Sequence, residues 1–521
     1  SLSAGVKGAI FGSGPSTFIY KYLEHRSADL NSTIFWGVRF AQGFAAIPSF
    51  LVTLGVGGVL SLLVVIGFFV WIGFRGVAML PWKNKGNSTE RVALISFVSL
   101  LFLVSSWFFY PTDFTIFLFT FLFAGLLLAA LRSGGSMGSW DILLLKTPQR
   151  TFIASLIIIV LIVVSIVGLY WQGQRYIASV VHTLGVATYN KNRDVNTAIQ
   201  KVELAKNLDS SQDAYWRTFS QLIGLRAEEI LSNRDLDSAE LQRRYQLLLQ
   251  GWIQAGQEAA KVNPADPLNW RNLGAIYEQN IRVVGGADQF AISNYLKAAE
   301  LNPQNPSEYL NVGRAYVLSG DALQANIARL SQEDAKKNKE DIEKLQAART
   351  ERLSSALENL NKAISLKGDY APAHFLASQV YERQGNRGLA IEKTLETRNL
   401  NPLDTGVGYQ LGLLYYIDEQ FEKARDEFTR VVTLNESFSN ARYFLGLSYD
   451  QLGNKQGAID QFVRISELNP DNDEIKKILS NLRSGKGALA GISPPGTSPT
   501  ARIESPVEDT GGEKIDKLEP T

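Results

Sequence analysis

The chain has no cysteine, three histidines and a formal net charge of only +1 over 521 residues. Without thiols it cannot form disulfides, use a thiolate nucleophile or build a cysteine zinc site. His25, His182 and His374 lie far apart. No two share the i, i+4 spacing that a helical metal site requires, so no metal and no cofactor are expected. Charge is scarce mainly at the amino-terminal end, where residues 1–175 hold 12 Lys/Arg and 5 Asp/Glu, leaving 40 and 46 for the remainder. No strongly basic face results, and nucleic acid is not an expected partner.

Where charge is missing, apolar residues run long. Stretches at about 50–74, 92–110, 114–131 and 152–170 each approach or exceed the ~20 residues that cross ~30 Å of hydrocarbon as a helix. Lysine and arginine gather in two of the intervening loops, as Arg75, Lys83, Lys85 and Arg91, then Arg132, Lys146 and Arg150. Basic loops are retained on the cytoplasmic side. Four spans then put the segment before the first span and everything after the fourth together on the extracytoplasmic face of an inner membrane, with lipid as one partner. Aromatics at span ends (Trp107 to Tyr110, Tyr170, Trp171) suit an interfacial belt. The chain opens on Ser1 without a signal-peptide pattern and reads as part of a longer reading frame.

Beyond the spans a phrase recurs. It reads Trp270-Arg-Asn-Leu-Gly274-x-x-Tyr277, then Tyr309-Leu-Asn-Val-Gly313-x-x-Tyr316, then Leu411-Gly412-x-x-Tyr415 and Leu445-Gly446-x-x-Tyr449. Alanines follow at Ala198, Ala291, Ala390, Ala424 and Ala458, and Asn-Pro closes units at 263–264, 302–303, 401–402 and 469–470. This pattern resembles the tetratricopeptide repeat, a helix-turn-helix unit of ~34 residues whose small and aromatic positions pack helix on helix. The spacing predicts units at 179–212, 267–305, 306–370, 371–404, 405–438 and 439–472, a divergent pair at 213–266, and a capping helix at 474–482. His182 falls in the first repeat helix, and His374 takes the large-residue place held by Trp270. The unit from Pro306 carries a charged insertion, read either as a solvated hairpin or as a docking arm. Such arrays bind proteins along a concave surface. Arg271, Asn272, Asn311 and Arg314 are the candidate groove residues, because Arg and Asn together can grip a peptide backbone or carboxylate.

The segment before the first span has its own pattern: Gly12-Ser-Gly14-Pro15-x-x-Phe18, a polar stretch with Arg39, then Phe50-Leu51 leading to Gly55-Val-Gly57-Gly58. It resembles the carboxy-terminal part of the O-antigen ligase and polymerase superfamily, polytopic enzymes acting on undecaprenyl-linked glycans. The resemblance implies a remnant of an extracytoplasmic loop. It makes Arg39 and His25 candidates for contact with glycan or pyrophosphate; the alternatives are an interfacial arginine and a solvated histidine. The family's histidine is replaced by Ile47-Pro48. Neither residue can act as a base near neutral pH, so this chain alone is not expected to catalyse.

The expected fold is all-α. An extracytoplasmic loop (1–49) leads to four transmembrane helices (50–172), a tetratricopeptide α-solenoid (179–483) and a disordered Gly/Pro/Ser/Thr-rich tail (484–521). Two functions follow. One is a membrane-anchored scaffold recruiting protein partners during surface-glycan assembly; the other is a glycosyltransferase fragment with the array as accessory.

Overall fold

The computed structural model describes residues 2–80, 88–111, 113–136, 147–232, 237–492 and 506–507, with side chains from residue 7. Among them helix is the only regular secondary structure. The chain divides into two compact units: Ser1–Ile276 with Lys297–Gln304, and Tyr277–Leu296 with Asn305–Thr521.

The first unit begins with α1 (Leu2–Phe11) and α2 (Phe18–His25), followed by α3 (Ala46–Ala78), α4 (Ser88–Phe109), α5 (Phe114–Ser133) and α6 (Pro148–Asn192). The last four are the helices long and apolar enough to cross a membrane. Small residues bring α3 close to its neighbours. A Cβ on Gly73 would sit 2.4 Å from the Phe97 ring, and one on Gly76 would sit 2.5 Å from Leu131. Around these approaches Ala93, Leu100, Leu127 and Leu131 form one core and Val59, Ile66 and Trp107 another. By contrast, no residue of the most apolar 18-residue window of α6 is buried.

Helix α6 starts at Thr147, whose hydroxyl accepts from the Arg150 N–H, with Pro148 in the first turn. It contains no later proline and runs 45 residues, about 67 Å at 1.5 Å per residue. The fourth span therefore continues into the first repeat helix without a linker. There it pairs with α7 (Val195–Leu208) around the buried Ala178, Ala198, Val202 and Ala205. Helices α8 (Asp213–Ser232) and α9 (Ser238–Val262) form the divergent pair, in which Gly224 admits the Trp252 ring. Helix α10 (Pro267–Gln279) runs from this unit into the second, and α11 (Ala287–Leu301) runs back.

The second unit continues with α12 (Pro306–Asp334), α13 (Lys339–Leu366), α14 (Ala371–Arg383), α15 (Arg387–Leu400), α16 (Thr405–Ile417), α17 (Phe421–Leu434), α18 (Ser439–Gln451), α19 (Lys455–Leu468) and α20 (Asp473–Arg483). The Asn-Pro steps end helices for a physical reason. Asn401 and Asn469 cap α15 and α19 with their N–H on the Thr397 and Ile465 carbonyls, and the following proline cannot extend the helix. The repeat phrase is core chemistry. Phe428 packs over Gly412 and Phe462 over Gly446, and a Cβ on either glycine would lie 2.6 Å from a ring carbon. Tyr277 and Tyr415 are buried, and Tyr449 packs on the last core. Gly313 faces Leu360, and Tyr316 lies beneath Arg352.

These contacts give a stability test. Gly446→Ala is expected to destabilise the second unit by about 1–3 kcal/mol, the usual cost of overpacking a close-packed core. The check is an earlier unfolding transition of the full chain. An unchanged transition would mean that Phe462 can swing aside without cost.

The insertion extends α12 and α13 as a helical hairpin. Residues 331–337 at its tip are exposed, and Arg329–Glu333 and Lys344–Glu340 pair along its surface at 2.7 Å. The expected disordered tail lies largely outside the described residues, but its first part is packed. Ala488 and Leu489 are buried in the last core. Asn481 donates to the Ala488 and Ala490 carbonyls, and Ala488 N–H donates to Asp450. Val507 joins the same core, and Pro506 O accepts from Asn472.

Candidate functional site

Two places in the chain gather polar side chains around the array. The first is the segment before α3. Helix α3 is broken at Gly55, where φ is 69° and ψ −178°, a conformation essentially restricted to glycine. The backbone of the Gly12-Ser13-Gly14 turn crosses at this break. Ser13 N–H donates to Val52 O and Gly14 N–H to Thr53 O, both at 2.9 Å, and the Ser13 hydroxyl donates to Val52 O at 3.0 Å. A Cβ on Gly12 would lie 2.4 Å from the Thr53 carbonyl. The glycines of the sequence pattern are thus the places where two backbones touch.

From this crossing the chain runs along the Asn-Pro turns of the array. Asn263 Nδ2 donates to the Tyr20 hydroxyl at 2.6 Å. Arg26 donates to Trp36 O, to Asn31 Oδ1 and, at 3.0 Å, to Gln304 O, which also accepts from Asn31 Nδ2 at 2.8 Å. Arg39 Nη2 pairs with Asp266 Oδ1 at 2.8 Å. Behind Asp266, Arg217 also reaches Asp213 and Asn269, and Asn269 is fully buried. Burial raises the Tyr20 pKa above the usual range, with the Asn263 hydrogen bond working the other way. The sequence gives no hint of the partners of the two proposed ligand residues. Arg39 is engaged by a carboxylate. His25 is 69% exposed, its Nδ1 is 3.2 Å from Lys21 O, and Glu24 stands 3.8 Å away.

The groove candidates are divided between the two units, Arg271 and Asn272 in the first and Asn311 and Arg314 in the second. Arg271 is half-buried, and Asn272 Nδ2 donates to the Ser220 hydroxyl at 2.7 Å. Asn311 is only 7% exposed. Arg314 Nε donates to Glu278 Oε1 at 2.8 Å, while the Tyr295 hydroxyl donates to Glu278 Oε2 at 2.8 Å. Burial disfavours the Arg314 charge, but Glu278 and Tyr295 outweigh it and hold its pKa above the ordinary value. Tyr295 is pushed far up, first by burial and then by Glu278. Further polar links escape sequence reasoning: Arg383 grips Asp321 with two bonds of 2.8 and 2.9 Å, and Gln410 reaches Glu382 at 3.5 Å. Their signal was weak, since each partner sits in a neighbouring unit. His374 packs as expected, 6% exposed, with Nε2 on Gly368 O and Nδ1 2.7 Å from Glu396. His182 bonds the Thr218 hydroxyl, and burial lowers its pKa. Among the described residues no cluster of three His, Asp or Glu is placed to hold a metal.

Residues 409–473 match the family model for the tetratricopeptide repeat. The carboxy-terminal array is a tetratricopeptide-repeat solenoid. Over 247 residues the chain is 23% identical to the human protein O-mannosyl-transferase TMTC3, an alignment covering 46% of this chain and 27% of that relative. The chain therefore spans about a quarter of the curated relative it matches. Among solved structures, YrrB, described as a tetratricopeptide protein with an unusual peptide-binding site, is 18% identical with a TM-score of 0.31, covering 42% of this chain and 95% of its own. MamA from Desulfovibrio magneticus is 19% identical with a TM-score of 0.29, covering 40% and 97%. The solenoid and the apolar helices together make this a membrane-associated repeat protein of the protein-binding kind.

Proposed function

We propose that this chain is a membrane-anchored scaffold whose tetratricopeptide array binds an extended protein segment on the extracytoplasmic face of the cytoplasmic membrane, in the service of surface-glycan assembly. The observation that carries the reading is the polar latch of Tyr20, Arg26, Asn31 and Arg39 on the array's turns. It supports a topology in which the segment before span one and the array after span four share one side, as an even number of spans gives. The basic loops then lie on the other side, where lysine and arginine are retained. Within the first unit, Arg271 and Asn272 of α10 are the residues proposed to meet a peptide backbone or carboxylate.

The employer of the array is an O-antigen ligase-like membrane protein handling undecaprenyl-linked glycan. Support comes from the Gly12–Gly55 crossing, which gives the glycines of the family-like pattern a shared physical purpose. The human relative's name, protein O-mannosyl-transferase, is in the same chemical territory. In the second reading the chain belongs to the glycosyltransferase itself, with the array as accessory. The engagement of Arg39 by Asp266 favours the scaffold, because that guanidinium already has a carboxylate partner.

The absence of cysteine makes the topology directly testable. Lys336→Cys, at the exposed tip of the α12–α13 hairpin, is expected to react with a membrane-impermeant maleimide in intact cells. Lys85→Cys, in the first basic loop, is expected to react only after permeabilisation. The opposite pattern overturns the extracytoplasmic placement.

A further inference from the structure

Residues 32–44 join the latch to the first span and carry an unusual surface. Ile34 is 86% exposed, Phe35 49% and Phe44 75%, with Val38 and Phe40 partly exposed beside them. The only charged residue in this stretch is Arg39, and its guanidinium points inward to Asp266. Both ends are fixed: Asn31 is held by Gln304 O, and Gly43 N–H donates to the Ser49 hydroxyl in the first turns of α3. Ala46 N–H donates to Tyr110 O, so the start of span one is level with the end of span two. There Phe109 and Tyr110 are themselves 82% and 58% exposed.

We propose that residues 32–44 form an interfacial element that inserts Ile34, Phe35 and Phe44 into the lipid headgroup layer while its polar side holds the array. Three observations select lipid as the occupant. The exposed apolar surface is continuous with the membrane-spanning helix, since a single residue, Ala45, separates Phe44 from its first residue. Phe44 lies two positions from Ala46, which bonds Tyr110 O at the α4 end, so exposed aromatics gather there as in the aromatic girdle of membrane proteins. The outward side has no charge with which to select a protein partner: Arg39 is turned to Asp266, and the exposed polar residues Ser32, Thr33 and Gln42 are uncharged, which suits insertion at the headgroup boundary. The element would thereby hold the turns at Asn263–Asp266 and Gln304 near the membrane surface, independently of which face of the membrane that is.

The cysteine-free background again permits the test. Ile34→Cys, Glu333→Cys at the hairpin and Phe68→Cys within span one are each labelled with an environment-sensitive fluorophore. The full chain is reconstituted in phosphatidylcholine nanodiscs containing lipid spin-labelled either near the headgroup or deep in the acyl chain. The label at position 34 is expected to be quenched several-fold more by headgroup-proximal spin label than the one at 333, and to be shielded from aqueous iodide. The label at 68 should respond to the deep spin label. Iodide quenching at 34 equal to that at 333, without lipid quenching, overturns the proposal. Shielding of position 34 from both quenchers also overturns it, by showing a protein cover instead. Because Ile34 is exposed, the substitution leaves the core intact; Phe44→Cys provides a second site at which the same outcomes apply.

Discussion

Glu278→Ala is expected to destabilise the second unit by about 2–4 kcal/mol, combining a lost partner for a partly buried cation with an orphaned buried hydroxyl. Glu278 receives two donors, the Arg314 guanidinium and the Tyr295 hydroxyl. Tyr295 is 1% exposed, so its hydroxyl has no water to turn to when the carboxylate is removed. Arg314 is different: its side chain is 39% exposed, and solvent would screen part of the loss. That exposure is why the estimate stays below the upper end for a fully buried pair. Glu278→Gln should fall between wild type and Ala, because the amide keeps one acceptor oxygen but no charge. Tyr295→Phe should be milder still, since it leaves the Arg314–Glu278 pair intact. Denaturant unfolding of the full chain, read with hydrogen exchange in α10 and α12, measures all three. Wild-type stability in Glu278→Ala would mean that the network gives no net stabilisation. In that case Arg314 can leave Glu278 for a ligand carboxylate at little cost, and binding to the groove should strengthen in the variant.

That example also marks where sequence reading stops. The repeat phrase was legible because packing repeats locally: a small residue at 412 or 446 must face an aromatic at 428 or 462, and the spacing is written in one unit. The spans were legible because hydrocarbon imposes length and apolarity. Partners set by stacking were not. Arg314 meets Glu278 from the preceding unit, 36 positions earlier, and Arg39 meets Asp266 across 227 positions. A solvent-facing donor and one spent on an internal carboxylate look alike in sequence. Asn311 illustrates the same limit: residue type makes it a groove candidate, but its side chain is buried. The packed start of the tail had a faint signal, the apolar Ala488, Leu489 and Ile492 in a glycine-rich stretch.

Gly55→Ala is expected to undo the amino-terminal crossing. At φ 69° and ψ −178° a residue with a Cβ carries about 1–3 kcal/mol of backbone strain. The added methyl would also lie 2.4 Å from both Gly12 N and Ile10 O, which are backbone atoms rather than yielding side-chain ends. Relief requires α1 to withdraw or α3 to straighten. Either movement breaks the Ser13–Val52 and Gly14–Thr53 hydrogen bonds at the membrane boundary, where replacement by water is limited. The total should reach on the order of 3 kcal/mol or more. Fast hydrogen exchange at the Ser13 and Gly14 amides is the expected signature, and Gly12→Ala should reproduce it. Gly125→Ala is the matched control, because nothing lies within 4 Å of its added Cβ. Tyr20, Arg26 and Arg39 follow directly from this crossing, so the loss should propagate to the array as faster exchange around Asn263 and Asp266. Protection lost at Ser13 but kept at Asp266 would separate the two contacts and show that the latch holds the array without help from the broken helix.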